Sequence, residues 1–136
     1  MNEIRRVDYF YTTVQDRPGE ALRFLSALGE LGVNLLAFMT IPVGIMQTQL
    51  TIFPDDTLKL KDQSVKAGFK LDGPHQALLV WGRDVPGALV AVHEKLYDAG
   101  INVYASTGVG GGGGSYGYII YVRPEDFDAA AESLGV

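Results

Sequence analysis

The 136-residue chain contains no cysteine, and that absence removes a disulfide framework, a thiolate zinc site and a cysteine nucleophile together. Histidine is nearly as scarce: His75 and His93 are the only two. Neither has a second sequence-local ligand, whereas a metal site needs three or four convergent donors, so no metal is expected. Ser106-Thr107 and Ser115 carry no readable Ser-His-Asp logic, which argues against a hydrolase. No run of about eighteen apolar residues occurs, and Met1-Asn2-Glu3-Ile4-Arg5-Arg6 leads straight into a strand-like segment instead of a signal-peptide apolar region. A cytoplasmic protein without a membrane partner is the expectation. Basic residues are outnumbered, 11 against 16, giving a net charge of −5 and a sequence pI of about 4.8. Such a field repels phosphate backbones and argues against nucleic acid.

What is present is the composition of a folded core, 47% hydrophobic and 20% charged,. It is organised by an internal repeat. Asp16-Arg17-Pro18-Gly19 returns as Asp84-Val85-Pro86-Gly87, and Leu31-Gly32-Val33-Asn34 returns as Ala99-Gly100-Ile101-Asn102, each at an offset of 68. Four chemically distinctive residue types recur in the same order and spacing, which points to two copies of one module.

Each copy changes its hydrophobic period in the same sequence. Residues 7–14 and 77–81 are rich in β-branched, aromatic and aliphatic residues and read as strands. Pro18 and Pro86 suit a first helical position, with Asp16 and Asp84 just ahead. Leu22, Leu25, Leu28 and Leu31 then keep helical spacing, as do Leu89, Val92, Leu96 and Ala99. Gly32 and Gly100 follow as C-terminal caps. Second strands are expected over 34–42 and 102–109 and third strands over 47–53 and 116–122. The hairpin of the second copy carries the glycine run Gly110–Gly114. Second helices open after Pro54-Asp55-Asp56 and Pro124-Glu125-Asp126. Phe69-Lys70-Leu71 reads as a short fourth strand and Asp72-Gly73-Pro74 as the link between copies. The fold class is therefore α+β: two tandem ferredoxin-like βαββαβ modules, residues 1–72 and 73–136, with antiparallel sheets covered by helices on one face. The second module has no visible fourth strand. Incomplete sheets with strands apolar on both faces, such as Leu78-Leu79-Val80-Trp81, lead to the expectation of a homodimer.

The polar-x-Pro-Gly turn at Asp16–Gly19 and Asp84–Gly87, paired with Gly-x-Asn at Gly32–Asn34 and Gly100–Asn102, resembles the ACT-domain family over nearly the whole chain. The resemblance implies a small regulatory protein that binds a free amino acid where modules meet and reports to a metabolic enzyme or regulator, with no catalytic machinery of its own. It carries the family's ligand positions onto Asp16, Gly19, Asn34, Asp84, Gly87 and Asn102. Physical chemistry is compatible with those roles. Asp can take an ammonium, glycine lets backbone N–H groups approach a carboxylate, the first turn of a helix favours an anion, and Asn both donates and accepts. The competing structural roles are a helix cap for Asp, a turn former for Gly, and tolerance of an awkward backbone for Asn.

Gly108-Val109-Gly110-Gly111-Gly112-Gly113 matches G-x-G-x-x-G, yet a strand follows where dinucleotide binding needs a helix, and no lysine completes a P-loop, so no cofactor is expected. Tyrosines on the strands invite comparison with an RNA-recognition module, but the acidic balance and the lack of a basic aromatic motif oppose it. Two other classes stand beside the regulatory reading: a ligand-free dimerisation module, and a small enzyme on a ferredoxin-like scaffold. Fold alone does not separate them.

Overall fold

Glycine decides where the first helix of each repeat starts and stops. In the computed structural model, which describes residues 2–136, β1 (Glu3–Gln15) is followed by α1 (Glu20–Glu30). The two are separated by Gly19, whose φ of 91° lies in the left-handed region and cannot continue into a helix,. Pro18 is thus a turn residue before the helix, not its first helical position. The same displacement occurs between β4 (Asp72–Arg83) and α3 (Val90–Asp98), where Gly87 has φ 76°. At the far end, Gly32 (φ 74°) and Gly100 (φ 71°) take the left-handed cap. The next amides fold back, Val33 N–H to Leu28 O at 3.0 Å and Ile101 N–H to Leu96 O at 2.9 Å, the hydrogen-bond pattern of a glycine-terminated helix.

The remaining elements are β2 (Leu35–Pro42), β3 (Gln47–Pro54), α2 (Thr57–Ala67), β5 (Ala105–Gly110), β6 (Ser115–Tyr121), a 3₁₀ turn (Pro124–Asp126) and α4 (Phe127–Ser133). Asp56 caps α2 by accepting the Lys59 N–H at 3.1 Å,. Hydrogen-bonded strand order is β2-β3-β1-β4-β6-β5. The β1–β3, β2–β3, β4–β6 and β5–β6 pairs are antiparallel.

The chain divides into two compact units whose limits differ from the expected 1–72 and 73–136. One is Asp8–His75; the other joins residues 2–7 to Gln76–Val136. Strands β1 and β4 each run through both. Phe69-Lys70-Leu71, expected as a strand, lies outside β4, and Asp72-Gly73-Pro74, expected as a link, opens it. The place of a fourth strand in the Gln76–Val136 unit, expected to be empty, is taken by the first residues of β1, which neighbour β4 in the strand order. Arg6 secures them: its guanidinium donates to Asp128 Oδ1 at 2.8 Å and to Val136 O at 2.9 Å, and lies 5.7 Å from the Phe127 ring.

The Asp8–His75 unit is built on Phe10, Leu28, Val33, Ile52 and Leu60, with Phe24, Leu31 and Phe69 packed against them. Leu22, given to the buried stripe by its spacing, is 69% exposed; Phe24 takes the core side of that turn. In the other unit Leu78 and Val80 of β4 meet Val92 and Leu96 of α3, Tyr118 and Ile120 of β6, and Phe127 of α4. Each fully buried aliphatic or aromatic side chain contributes about 1.5–3 kcal/mol, so two such clusters form the principal support of the fold.

Candidate functional site

Both strand-to-helix turns sit against the hairpin of their own unit. The Asp16 amide donates to Met46 O at 2.9 Å, and the Asp84 amide to Gly114 O at 2.9 Å. Neither α1 nor α3 has a side-chain cap hydrogen bond, so the carboxylates of Asp16 and Asp84 are not spent on capping. Both residues are exposed.

Asn34 and Asn102 lie elsewhere. Asn34 accepts the Asp55 N–H at its carbonyl (3.0 Å) and donates Nδ2 to Asp55 Oδ2 (3.4 Å), beyond the opposite end of β3 from Met46. A strand of that length spans roughly 26 Å. Asn102 likewise precedes β5, whose first residue pairs with Tyr121, whereas the Asp84 turn adjoins the hairpin at Gly114. Within a unit the structure therefore joins Asp to Gly but sets Asn at the other end of the sheet. Asn34 thus ties the entry of β2 to the segment between β3 and α2.

The two turns differ in what surrounds them. At the first, Glu20 accepts from Arg17 Nε at 2.5 Å and pairs with an Arg23 terminal nitrogen at 3.2 Å, its side chain only 17% exposed. The Arg17 guanidinium, with Arg23 beside it, holds the Glu20 carboxyl below the usual carboxylate range. Glu20 and Arg23 line a cavity of about 250 Å³ with Phe24, Phe69, Lys70 and Leu71, and neither Asp16 nor Gly19 is among its lining residues.

At the second turn the equivalent positions are Val85, Ala88 and Ala91. A cleft of about 500 Å³ opens there, lined by Asp84, Val85, Gly87, Ala88, Leu89, Gly108, Val109, Gly110 and Tyr116, within the roughly 300–1,000 Å³ usual for small-molecule sites. One wall is bare backbone. A Cβ on Gly110 would stand 2.9 Å from Asp84 Oδ2, and one on Gly108 would stand 3.0 Å from Tyr118 Cδ1. Tyr116 donates its hydroxyl to Asn2 Oδ1 at 3.3 Å, and burial raises its phenol pKa. Gly108, Gly110 and Tyr116 were not among the sequence candidates. Their signal is Gly-x-Gly within a strand, which puts both glycines on one face. The run Gly110–Gly114 closes the hairpin, with Gly112 (φ 75°) and Gly114 (φ 89°) left-handed and β6 following.

The histidines have local partners: His93 Nε2 lies 2.7 Å from Tyr118 Oη, and His75 Nε2 lies 2.7 Å from Asp72 Oδ1, with the Tyr11 ring stacked on His75 at 5.2 Å. Among the described residues no group of three or more His, Asp or Glu is placed to hold a metal ion, and no helix is long and apolar enough to cross a membrane.

An α+β fold with a six-stranded antiparallel sheet and four helices, and helix-start turns set against hairpins, is ACT-like. Comparison with solved structures supports that fold. A protein of Bacteroides thetaiotaomicron matches with a TM-score of 0.76 at 17% identity, over 96% of this chain and 88% of its own. The regulatory subunit of aspartate kinase from Thermus thermophilus, in its ligand-free form, matches with a TM-score of 0.63 at 15% identity over 98% and 93%. The corresponding subunit from Thermus flavus matches at 0.59, with 15% identity over 98% and 93%. At these identities the likeness is one of fold. No protein-family model and no curated protein sequence matches the chain.

Proposed function

We propose that this chain is a small regulatory protein of two tandem ACT-type modules that binds a free amino acid at a strand-to-helix turn and passes the binding state to a metabolic enzyme, acting as a homodimer. The observation that carries the reading is the cleft at Asp84–Leu89. It sets a carboxylate with no capping duty beside the start of a helix, an arrangement that suits the ammonium and, through the helix dipole, the carboxylate of a zwitterion. The fold shared with aspartate kinase regulatory subunits supports a regulatory role. Six positions were carried over by family resemblance; Asp84 and Gly87 are the two that line the cleft, while Asn34 is engaged with Asp55. The exposed edge strand β5, with all six residues solvent-accessible, offers a surface for the second copy. Cytoplasmic location and absence of catalysis belong to the same proposal.

A thermal-shift screen of the full chain against the standard amino acids tests it, because a ligand specific to the folded state raises stability by mass action, by about 2.7 kcal/mol at a hundredfold excess over Kd. One or a few amino acids are expected to raise Tm. A flat response to all of them at millimolar concentration would reject amino-acid sensing.

A further inference from the structure

The two turns repeat in sequence but not in charge, and the cleft follows the charge. Arg17, Glu20 and Arg23 of the first turn are replaced at the same offset by Val85, Ala88 and Ala91 in the second. We infer that the chain has one ligand cleft, in the Gln76–Val136 unit, that it takes an α-amino acid with an uncharged apolar side chain, and that the matching turn of the other unit is closed by its own ions. This rests on the amino-acid reading above and sharpens it.

At the first turn a carboxylate is already in place. Glu20 occupies the first turn of α1, shielded to 17% exposure, with both guanidinium partners turned onto it. An incoming carboxylate would meet that like charge and find both nearby cations engaged. At the second turn nothing competes. Its only charged lining residue is Asp84, and the rest of the wall is Val85, Ala88, Leu89, Val109, Tyr116 and glycine backbone.

That wall dictates the ligand. The single anion pairs with the single ammonium of an α-amino acid, and the positive end of the α3 dipole favours its carboxylate. A ligand side chain then lies along apolar surface, where burial is favourable. A second carboxylate, as in aspartate or glutamate, would face Asp84 with no cation among the lining residues. A second cation, as in lysine or arginine, would leave one of two positive groups without a partner, and an unpaired charge in apolar surroundings is strongly disfavoured.

Titration calorimetry of the full chain against alanine, valine, leucine, isoleucine, aspartate, glutamate, lysine and arginine tests the inference. One ligand per chain is expected, with the tightest binding from the aliphatic group and at least tenfold weaker binding from all four charged amino acids. Asp84→Asn should weaken binding by at least tenfold, Asp16→Asn should leave it unchanged, and Ala88→Glu, which supplies the carboxylate that closes the first turn, should abolish it. Unchanged thermal unfolding of the free variants shows that these losses are not losses of fold. Should Ala88→Glu fail to fold, Asp84→Asn against Asp16→Asn decides alone. Two ligands per chain, equal losses from Asp16→Asn and Asp84→Asn, or a charged amino acid binding tightest would overturn the inference and leave amino-acid sensing standing. No binding by any amino acid would overturn both.

Discussion

Substituting Gly110 separates ligand binding from folding. A Cβ at this position meets one close group, Asp84 Oδ2 at 2.9 Å, the far end of an exposed side chain. Ordinary van der Waals contact begins near 3.4 Å, so Gly110→Ala requires the carboxylate to retreat by about 0.5 Å. Gly110 is not among the positive-φ glycines, and alanine there restricts the unfolded chain, which adds about 0.4–1 kcal/mol of stability where no strain intervenes. The free protein should therefore keep its Tm or gain slightly. Binding should suffer, because a hydrogen bond to a charged group contributes about 1.5–3 kcal/mol, and losing much of it weakens affinity by roughly five- to tenfold. Gly108→Ala is the control with the opposite signature. Its Cβ would stand 3.0 Å from the ring of Tyr118, which is 5% exposed and held at its hydroxyl by His93. That ring cannot swing away, so the cost falls on the fold, about 1–3 kcal/mol of overpacking. Thermal unfolding and calorimetric titration of both variants provide the assay. A Gly110→Ala protein with unchanged affinity would refute the role given to Asp84, and one that unfolds well below the parent would refute the claim that only a movable carboxylate stands in the way.

Two further expectations concern the Asp8–His75 unit. Gly73→Ala should destabilise by about 3 kcal/mol or more and lower Tm by roughly 10 °C, because Gly73 has φ 148° and a Cβ would stand 2.8 Å from Tyr9 O and 2.6 Å from Phe10 Cδ2; an unfolding curve matching the parent would contradict the packing described. The Tyr11 hydroxyl and His75 hold the Asp72 carboxyl below its ordinary value, and the same contact raises the Tyr11 phenol above 10.0. A depressed carboxyl contributes stability that is present above its unfolded pKa near 3.9 and lost as pH falls through the folded value, whereas a raised phenol contributes stability below pH 10 that is lost on further alkalinisation. Asp72→Asn should accordingly narrow the stability difference from the parent at both extremes relative to pH 7, and ultraviolet titration should show one tyrosine shifted downward in the variant.

Much of the architecture was legible because its causes are local. Left-handed glycines at 32 and 100 terminate helices wherever they occur, and Asp56 caps α2 from its own sequence neighbourhood. The hairpins followed from alternating runs with turn residues between them. What escaped was non-local. Gly73-Pro74 carries every mark of a turn, yet it sits inside β4, since nothing in a dipeptide reports that the strand continues beside β1. Partnership of Glu3–Val7 with the far half of the chain is a pairing across some seventy residues that no periodicity encodes,. The candidate site was half legible. Repetition exposed Asp84 and Gly87, but Asn102 shares only their motif and not their end of the sheet. The charge substitutions that distinguish the two turns were visible in the sequence; their meaning required seeing Glu20 folded beneath two arginines.

Strands β1 and β4 each serve two units, so the repeat in the gene and the unit in the fold are out of phase. A cut after residue 72 respects the first and violates the second: it separates Glu3–Val7 from the sheet they border and takes Gly73–His75 from theirs. A break after His75 leaves the Asp8–His75 unit whole, but no single break releases the other, whose residues 2–7 and Gln76–Val136 lie at opposite ends of the chain. Isolating the ligand cleft would instead call for a rearranged reading frame, in which residues 2–7 are re-attached behind Val136 and translation begins near Gln76.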